Sequence, residues 1–233
     1  MGSRVSAAVL AVVPTRCGSK GVPGGNTVDV GGVPLVLWAC LAAWLVADVV
    51  VSTDEPLIAR ATFAACAGIV KRPQDVVRDI SSSEDALRRS LDTYGKEHQV
   101  TVDVLLLVQC TTPYLTASDV ERATAAVVTG GADTAHTVAA FHGFVWREDS
   151  GRAYGIHHGS AFRPRCQDRP ENFLETGAAY AVRADGFRAA HHRFFGRTAL
   201  VCTDPDRALE IDEPGSRRCA SKSSQRTRRP PLR

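Results

Sequence analysis

The sequence predicts a three-layer α/β fold around a mostly parallel sheet, and three observations carry that expectation. Ala7–Val13 (AAVLAVV), Asp48–Thr53 (DVVVST) and Val102–Gln109 (VDVLLLVQ) are nearly continuous apolar runs, as strands buried on both faces tend to be. Segments with helical spacing lie between them at steady intervals, the pattern of successive βαβ units. The chain has 233 residues, 44% of them hydrophobic and 23% charged. That length suits one generous domain with a core that needs no disulfide or structural metal. The composition excludes wholesale disorder, a collagen-like fibre and a coiled-coil rod.

Taken in order, Ala7–Val13 is expected to be the first strand. It is a poor secretory leader, because no small-residue cleavage site precedes a polar start. Pro14 to Asn26 is a Gly- and Pro-punctuated loop, and Leu35–Ala47 an apolar helix. Asp48–Thr53 is the second strand, Glu55–Ala67 an Ala-rich helix, and Gly68–Lys71 a short third strand. Ser83–Lys96 reads as a helix with Leu87, Leu91 and Tyr94 on one side. Val102–Gln109 is the strongest strand signal, followed by a helix at Ala117–Thr129 and a strand at Thr134–Ala140. Between Phe141 and Glu175 the pattern breaks into a stretch rich in Gly, Arg, His and aromatics. This is expected to be a β-rich arm over about residues 141–175. A strand at Gly177–Val182, a short helix at Ala184–Ala190 and a strand at Ala199–Cys202 complete the domain, residues 1–214. Residues 215–233 hold seven Lys or Arg, no acid and one Leu, and are expected to form a disordered basic tail.

The formal charge is +3, from 28 basic and 25 acidic residues. Seven of the basic residues and none of the acidic ones lie in the tail, so residues 1–214 carry −4. A basic tail alone is thin support for a nucleic-acid partner, and none is expected. No stretch reaches the ~18 apolar residues that span a bilayer, so no membrane partner is expected. The seven cysteines are scattered, with no CxxC pair. They read as small hydrophobes in a reducing cytoplasm. His157-His158 and His191-His192 are adjacent pairs that do not suit one metal ion. No GxSxG, HExxH, GxGxxG or Walker A motif occurs.

In an α/β sheet the loops leaving the carboxyl ends of the strands build the site. The first such loop holds Arg16, Cys17, Gly18, Ser19, Lys20, Gly21, Val22, Pro23, Gly24, Gly25 and Asn26. Small residues let backbone N–H groups turn towards an anion, and Arg16 and Lys20 add two cations. The loop is either a triphosphate cradle or a plain surface turn. Arg72 follows the third strand and suits bidentate contact with phosphate, or is a solvated turn residue. Ser82 or Ser83 caps a helix, with or without a ligand at that helix start. Gln109 ends the most buried strand, in contact with either a ligand or loop backbone. Arg163, Arg165, Gln167 and Arg169 sit in a basic cluster in the arm, a carboxylate site or an exposed charge run. Glu210 and Asp212 flank Ile211; in an extended segment both carboxylates share one face while Ile211 turns to the core. Such a pair either holds Mg²⁺ together with waters and phosphate oxygens or forms a solvated acidic edge.

In this order the blocks resemble the CMP-acylneuraminate synthetase (acylneuraminate cytidylyltransferase) family. The likeness runs through Arg16, Cys17, Gly18, Ser19, Lys20, Gly21, Pro23 and Asn26, then Val51-Ser52-Thr53-Asp54, Arg72-Pro73 and Asp79…Ser82-Ser83. It continues through Gln109…Thr112-Pro113, Arg163-Pro164-Arg165…Gln167 with Glu175…Gly177…Tyr180, and Glu210-Ile211-Asp212. It covers about Ala7 to Glu213. The resemblance implies a Rossmann-like, nucleotide-diphospho-sugar-transferase-like α/β/α architecture whose arm serves a homodimer. It implies CMP transfer from CTP to a sialic-acid-like nonulosonic acid, with release of pyrophosphate. Arg16, Gly18, Ser19, Lys20, Gly21, Asn26, Arg72 and Ser83 would bind the nucleotide. Gln109, Arg163, Arg165 and Gln167 would bind the sugar acid, and Glu210 and Asp212 would hold Mg²⁺. Arg16, Lys20, Arg165 and Asp212 would carry catalysis. The alternatives are another acidic acceptor, such as a phosphonate or a different sugar acid, or a degenerate homologue that binds nucleotide without turnover.

Three positions depart from the family pattern. Gly25 stands where a Lys is usual, Glu210 stands where an Asp is usual, and the basic tail replaces a closing helix, as truncation or a reading-frame change would produce. The missing cation generates a test. Gly25→Lys should raise the CTP-dependent rate several-fold; an unchanged steady-state rate would show that the remaining cations suffice.

Overall fold

The computed structural model describes residues 7–15, 25–63, 67–72, 83–156, 158–159, 162 and 164–211. The first apolar run forms strand β1 (Val9–Pro14), with Leu10 to Val13 fully buried. A short hairpin follows, β2 (Asp29–Val30) and β3 (Val33–Pro34). Its turn needs positive φ at Gly31 (66°) and Gly32 (88°), which glycine supplies without steric cost. The Gly-Gly dipeptide is the sequence signal for this turn. Helix α1 (Leu35–Ala43) is shorter than expected, ending four residues before Ala47 in a turn through Trp44. The apolar stretch that follows it cannot be buried in full: Leu45 is 83% exposed.

Strand β4 (Asp48–Thr53), helix α2 (Pro56–Phe63) and strand β5 (Gly68–Lys71) come next. Helix α3 (Ser83–His98) buries Leu87 and Leu91, as its spacing predicts. Strand β6 (Val104–Val108), helix α4 (Ala117–Val128) and strand β7 (Thr134–Phe141) follow. The arm is β-rich, with a hairpin of β8 (Trp146–Asp149) and β9 (Arg152–Gly155). Strand β10 (Asn172–Arg183) is twice the expected length and begins inside the arm. Helix α5 (Ala184–Ala190) and strand β11 (Thr198–Thr203) complete the described elements. The basic tail lies outside the described residues.

The seven-stranded sheet has the order β11-β7-β10-β6-β1-β4-β5. β1 pairs in parallel with both β4 and β6, β4 with β5, and β7 with β11. Only β10 is antiparallel, to β6 on one side and β7 on the other. Strict alternation sorts each strand between two core faces. Ala11, Val13, Val104, Leu106 and Val108 face α1, α2 and α4, packed on Ala39, Ala43, Ile58, Val120 and Ala123. Leu10, Val12, Leu105 and Leu107 face Leu87 and Leu91 of α3 and Phe187 of α5. These are the three expected layers. No helix among the described residues is long and apolar enough to cross a membrane.

The strand order reverses between β1 and β6. From β1 the chain passes over α1 to β4, whereas β6 is reached from β5 over α3 on the opposite face. Loops leaving the carboxyl ends of β1 and β6 therefore diverge and leave a crevice, the usual ligand position in open α/β sheets. Leu106, 1% exposed at the centre of this layer, gives a stability test. Leu106→Ala should cost about 2–5 kcal/mol in urea unfolding; a loss under about 1 kcal/mol would contradict a tightly packed strand.

Candidate functional site

The crevice gathers several of the expected residues. Asn26 lies in a 3₁₀ turn, Gly25–Thr27, on the way back from the first loop. Its Oδ1 accepts a hydrogen bond from the Cys110 thiol at 2.8 Å. Cys110 is 5% exposed and sits just past the end of β6, so this contact ties the β1 loop to the β6 loop across the switch point. The sequence offered no signal for it, since a cysteine beside the expected Gln109 reads as a small hydrophobe. Gln109 itself leaves β6 with its N–H bonded to Ala178 O at 2.9 Å. Its own carbonyl accepts from Thr112 Oγ1 at 3.1 Å. The backbone at 109–112 is held while the Gln109 side chain stands half-buried at the edge.

Arg72 lies one residue past β5. Its N–H bonds Thr53 O at 3.0 Å, and its Nε donates to Ser52 Oγ at 3.1 Å. Ser52 is fully buried, so the guanidinium is oriented from below by a fixed hydroxyl. Ser83 is the first residue of α3, at the same edge. Arg16, Gly18, Ser19, Lys20, Gly21, Arg163 and Asp212 lie outside the described residues.

Glu210 approaches the crevice from β11. Ile211 is 2% exposed, packed with Val28, Val30 and Leu35, as the i, i+2 reading of the two carboxylates required. The Ile211 N–H donates to Thr111 O at 2.8 Å, and Thr111 Oγ1 donates to Glu210 Oε1 at 3.1 Å. Gly177 completes this corner, with φ of 68°. A Cβ there would stand 3.4 Å from Glu210 Oε1 and 3.6 Å from Oε2, so glycine keeps that side of the carboxylate open. The donors here are a carboxylate and a hydroxyl, hard oxygen ligands that suit Mg²⁺ completed by waters and phosphate oxygens. No group of three or more His, Cys, Asp or Glu among the described residues is placed to hold a metal without such help.

The arm residues are not drawn into this cluster. Arg165 is exposed and paired with Asp168 at 3.1 Å, and Gln167 is exposed in a 3₁₀ turn, Cys166–Asp168. A second polar group is built around Tyr180, of which the sequence flags only Glu175 and Tyr180. Tyr180 donates its hydroxyl to Glu175 Oε1, and the Arg193 guanidinium lies 4.7 Å over its ring. Burial, reinforced by Glu175, pushes the Tyr180 hydroxyl pKa up, so it stays a donor. Arg193 also bonds Glu84 Oε1 at 2.7 Å. Burial alone would raise the Glu84 pKa, but Arg193 outweighs it and keeps the carboxylate ionised. The buried His136 ring stacks beside Tyr180, and burial lowers its pKa.

Asp119 stands 1% exposed in the first turn of α4. It forms a capping box with Thr116 and ion pairs with Arg122 and Arg207. The Thr-x-x-Asp spacing is a legible cap; the two arginines, one of them 88 residues away, are not.

A family model described as cytidylyltransferase matches residues 10–145. The chain is similar to N-acylneuraminate cytidylyltransferase A of Danio rerio, 32% identical over 189 residues, covering 78% of this chain and 43% of that protein. N-acylneuraminate cytidylyltransferase B of the same organism is 29% identical over 208 residues, covering 87% and 48%. The chain thus spans just under half the length of these curated relatives. Among solved structures, a CMP:2-keto-3-deoxy-manno-octonic acid synthetase complexed with CTP has a TM-score of 0.67 at 19% identity, covering 95% of this chain and 100% of that one. At that identity the likeness speaks to the fold, which it places as expected.

Asp119 makes the site acid-sensitive. Burial alone would raise its pKa, but hydrogen bonds from Arg207, Thr116 and Arg122 hold it at about 2, against 3.8 ordinarily. A folded pKa below the unfolded one contributes stability that is present above the unfolded value and lost as pH falls through the folded one, here about 2 kcal/mol. Denaturant unfolding of the native chain should therefore weaken between pH 4 and 2. Asp119→Asn should be less stable at pH 6 and should flatten that window; an equal acid slope in both chains would exclude Asp119 as the cause.

Proposed function

This chain belongs to the cytidylyltransferase family, and from that premise we propose that it transfers CMP from CTP to a sialic-acid-like nonulosonic acid. The observation that carries the reading is the joining of Asn26, Cys110, Thr111 and Glu210 at the switch point, next to Gln109, with Arg72 at the carboxyl end of β5. The similarity to N-acylneuraminate cytidylyltransferases at about 30% identity supports the acceptor class.

In the proposed reaction the sugar's anomeric oxygen attacks the α-phosphorus of CTP. A new P–O bond forms, the bond from the α-phosphorus to the bridging oxygen breaks, and pyrophosphate leaves. The hydroxyl proton passes to solvent. Arg16, Lys20 and the amides of residues 18–21 serve the triphosphate, with Asn26, Arg72 and Ser83 on the nucleotide. Arg72 arrives pre-oriented by Ser52, which lowers the cost of fixing a long side chain on phosphate. Gln109 would serve the acidic sugar together with Arg163, Arg165 and Gln167 of the arm, of which Arg165 and Gln167 stand exposed outside the cluster and would have to be brought to it. Glu210 and Asp212 would hold Mg²⁺, which would neutralise charge on the phosphate oxygens. No covalent enzyme intermediate is required, and catalysis rests on alignment and charge compensation.

The exposed apolar side chains of the arm, Trp146, Tyr154, Ile156 and Phe162 among them, favour a homodimer in which the arm meets a second copy. Cys40, Cys110 and Cys202 are outside any disulfide, in keeping with a reducing cytoplasm.

Pyrophosphate release tests the reading. With CTP, Mg²⁺ and sialic acid, release should be saturable in both substrates, and Glu210→Gln should reduce it by about 10²-fold or more, the scale at which a small misplacement costs catalysis. Release only with a phosphonate or another acid would overturn the acceptor assignment. CTP binding without release on any acceptor would favour a degenerate nucleotide-binding homologue.

A further inference from the structure

We infer that Asp119 is a positioning residue for the acidic motif: through Arg207 it sets where the Glu210 carboxylate stands and so how tightly a divalent cation is held there. This rests on the reading of Glu210 as a cation ligand.

The helix cap does not account for what surrounds Asp119. Capping uses Thr116, whose N–H and hydroxyl donate to Asp119 Oδ2 at 3.1 and 2.7 Å. A helix N-terminus already favours one carboxylate, and it needs no arginine. Two are nevertheless present. Arg122 donates to Asp119 Oδ1 at 2.6 Å and passes on to Cys202 O, at the end of β11, at 2.7 Å. Arg207 reaches both oxygens of Asp119 and bonds Tyr114 O at 3.4 Å and Thr116 Oγ1 at 3.3 Å. Asp119 therefore grips the chain from β11 to Glu210 at two points.

Glu210 is suspended between two anchors. Arg207 precedes it by three residues, and Ile211 follows with its N–H on Thr111 and its side chain in the core. Both anchors close onto the same segment, residues 111–119, which leaves β6 and opens α4. The position of Glu210 over the crevice is thus referred directly to the strand end that carries Gln109. Removing the Asp119 carboxylate from water is costly, and a buried charge held by more partners than its cap needs is best understood where it fixes the chain's position. A glutamate has one more side-chain torsion than an aspartate, so its backbone must be held more firmly for the carboxylate to stand in one place.

The test uses Mn²⁺ as a paramagnetic probe, titrated in the presence of CTP and read from the free Mn²⁺ resonance signal. Wild type should bind Mn²⁺, and Glu210→Gln should weaken it. Arg207→Gln and Asp119→Asn should weaken it roughly tenfold or more, as loss of a partner behind a ligand commonly does. Arg207→Lys should recover part of the affinity, and Arg188→Gln, which breaks the exposed pair with Asp92, should change nothing. Arg207 is partly exposed, so its variants remain usable if Asp119→Asn does not fold. A purely structural role would lower the melting temperature but leave the Mn²⁺ affinity of the folded chain unchanged. If Glu210→Gln weakens Mn²⁺ and the Arg207 and Asp119 variants do not, the inference is overturned while the cation site stands. If Glu210→Gln has no effect, the cation site and the inference fall together.

Discussion

The parallel pairing of β1 with β6 is the constraint on which the rest of the molecule depends. Leu10 to Val13 and Val104 to Val108 are buried on both faces. A one-residue slip would exchange the side chains facing α1, α2 and α4 with those facing α3 and α5. The two core faces differ, with alanines packed on one and Leu, Tyr and Phe on the other, so the register has little freedom. Since the chain leaves β1 on one face and reaches β6 from the other, the crevice at their carboxyl ends follows from the winding. Asn26, Cys110, Thr111 and Glu210 occupy a gap that the sheet would have with any side chains.

Electrostatics works within that frame. Residues 1–214 carry a surplus of acid, yet the expected substrates are anions. The chain resolves this by placement. Several arginines are committed to carboxylates away from the crevice, as in Arg188 with Asp92 and Arg183 with Asp185. Such exposed pairs add little stability. Arg72 Nε donates to the neutral Ser52 hydroxyl, which orients the guanidinium at the carboxyl end of β5.

The layers were legible in the sequence because burial on both faces leaves an unmistakable apolar run. Helix α3 was legible because Leu87 and Leu91 keep the spacing of a helix packed on a sheet. Three features were less so. Helix α1 is apolar on all sides, so its composition could not mark the end at Ala43. The length of β10 was hidden because its first residues, from Asn172 to Glu175, are not fully buried and their apolar pair, Phe173-Leu174, is too short to mark a strand. In the site, Ile211 could be placed because alternation along an extended segment is local. The Asn26–Cys110 and Asp119–Arg207 contacts join residues 84 and 88 apart. Nothing in one sequence records which distant polar groups meet, so such pairs emerge only once the fold has brought them together.

Strand β10 runs against its neighbours, and this has a consequence for how the molecule can change. A parallel strand would have to be re-entered from the far edge of the sheet, over a crossover of fixed minimum length. By running backwards, β10 lets the chain depart from β7 and come home at the same edge, next to the crevice. Everything between Phe141 and Asn172 is then an excursion whose size costs only slowly growing loop entropy. Material can be gained, lost or reshaped there without disturbing the strand ends that frame the crevice. The fold thereby separates the sheet and its crevice from a part whose size and shape are free to vary.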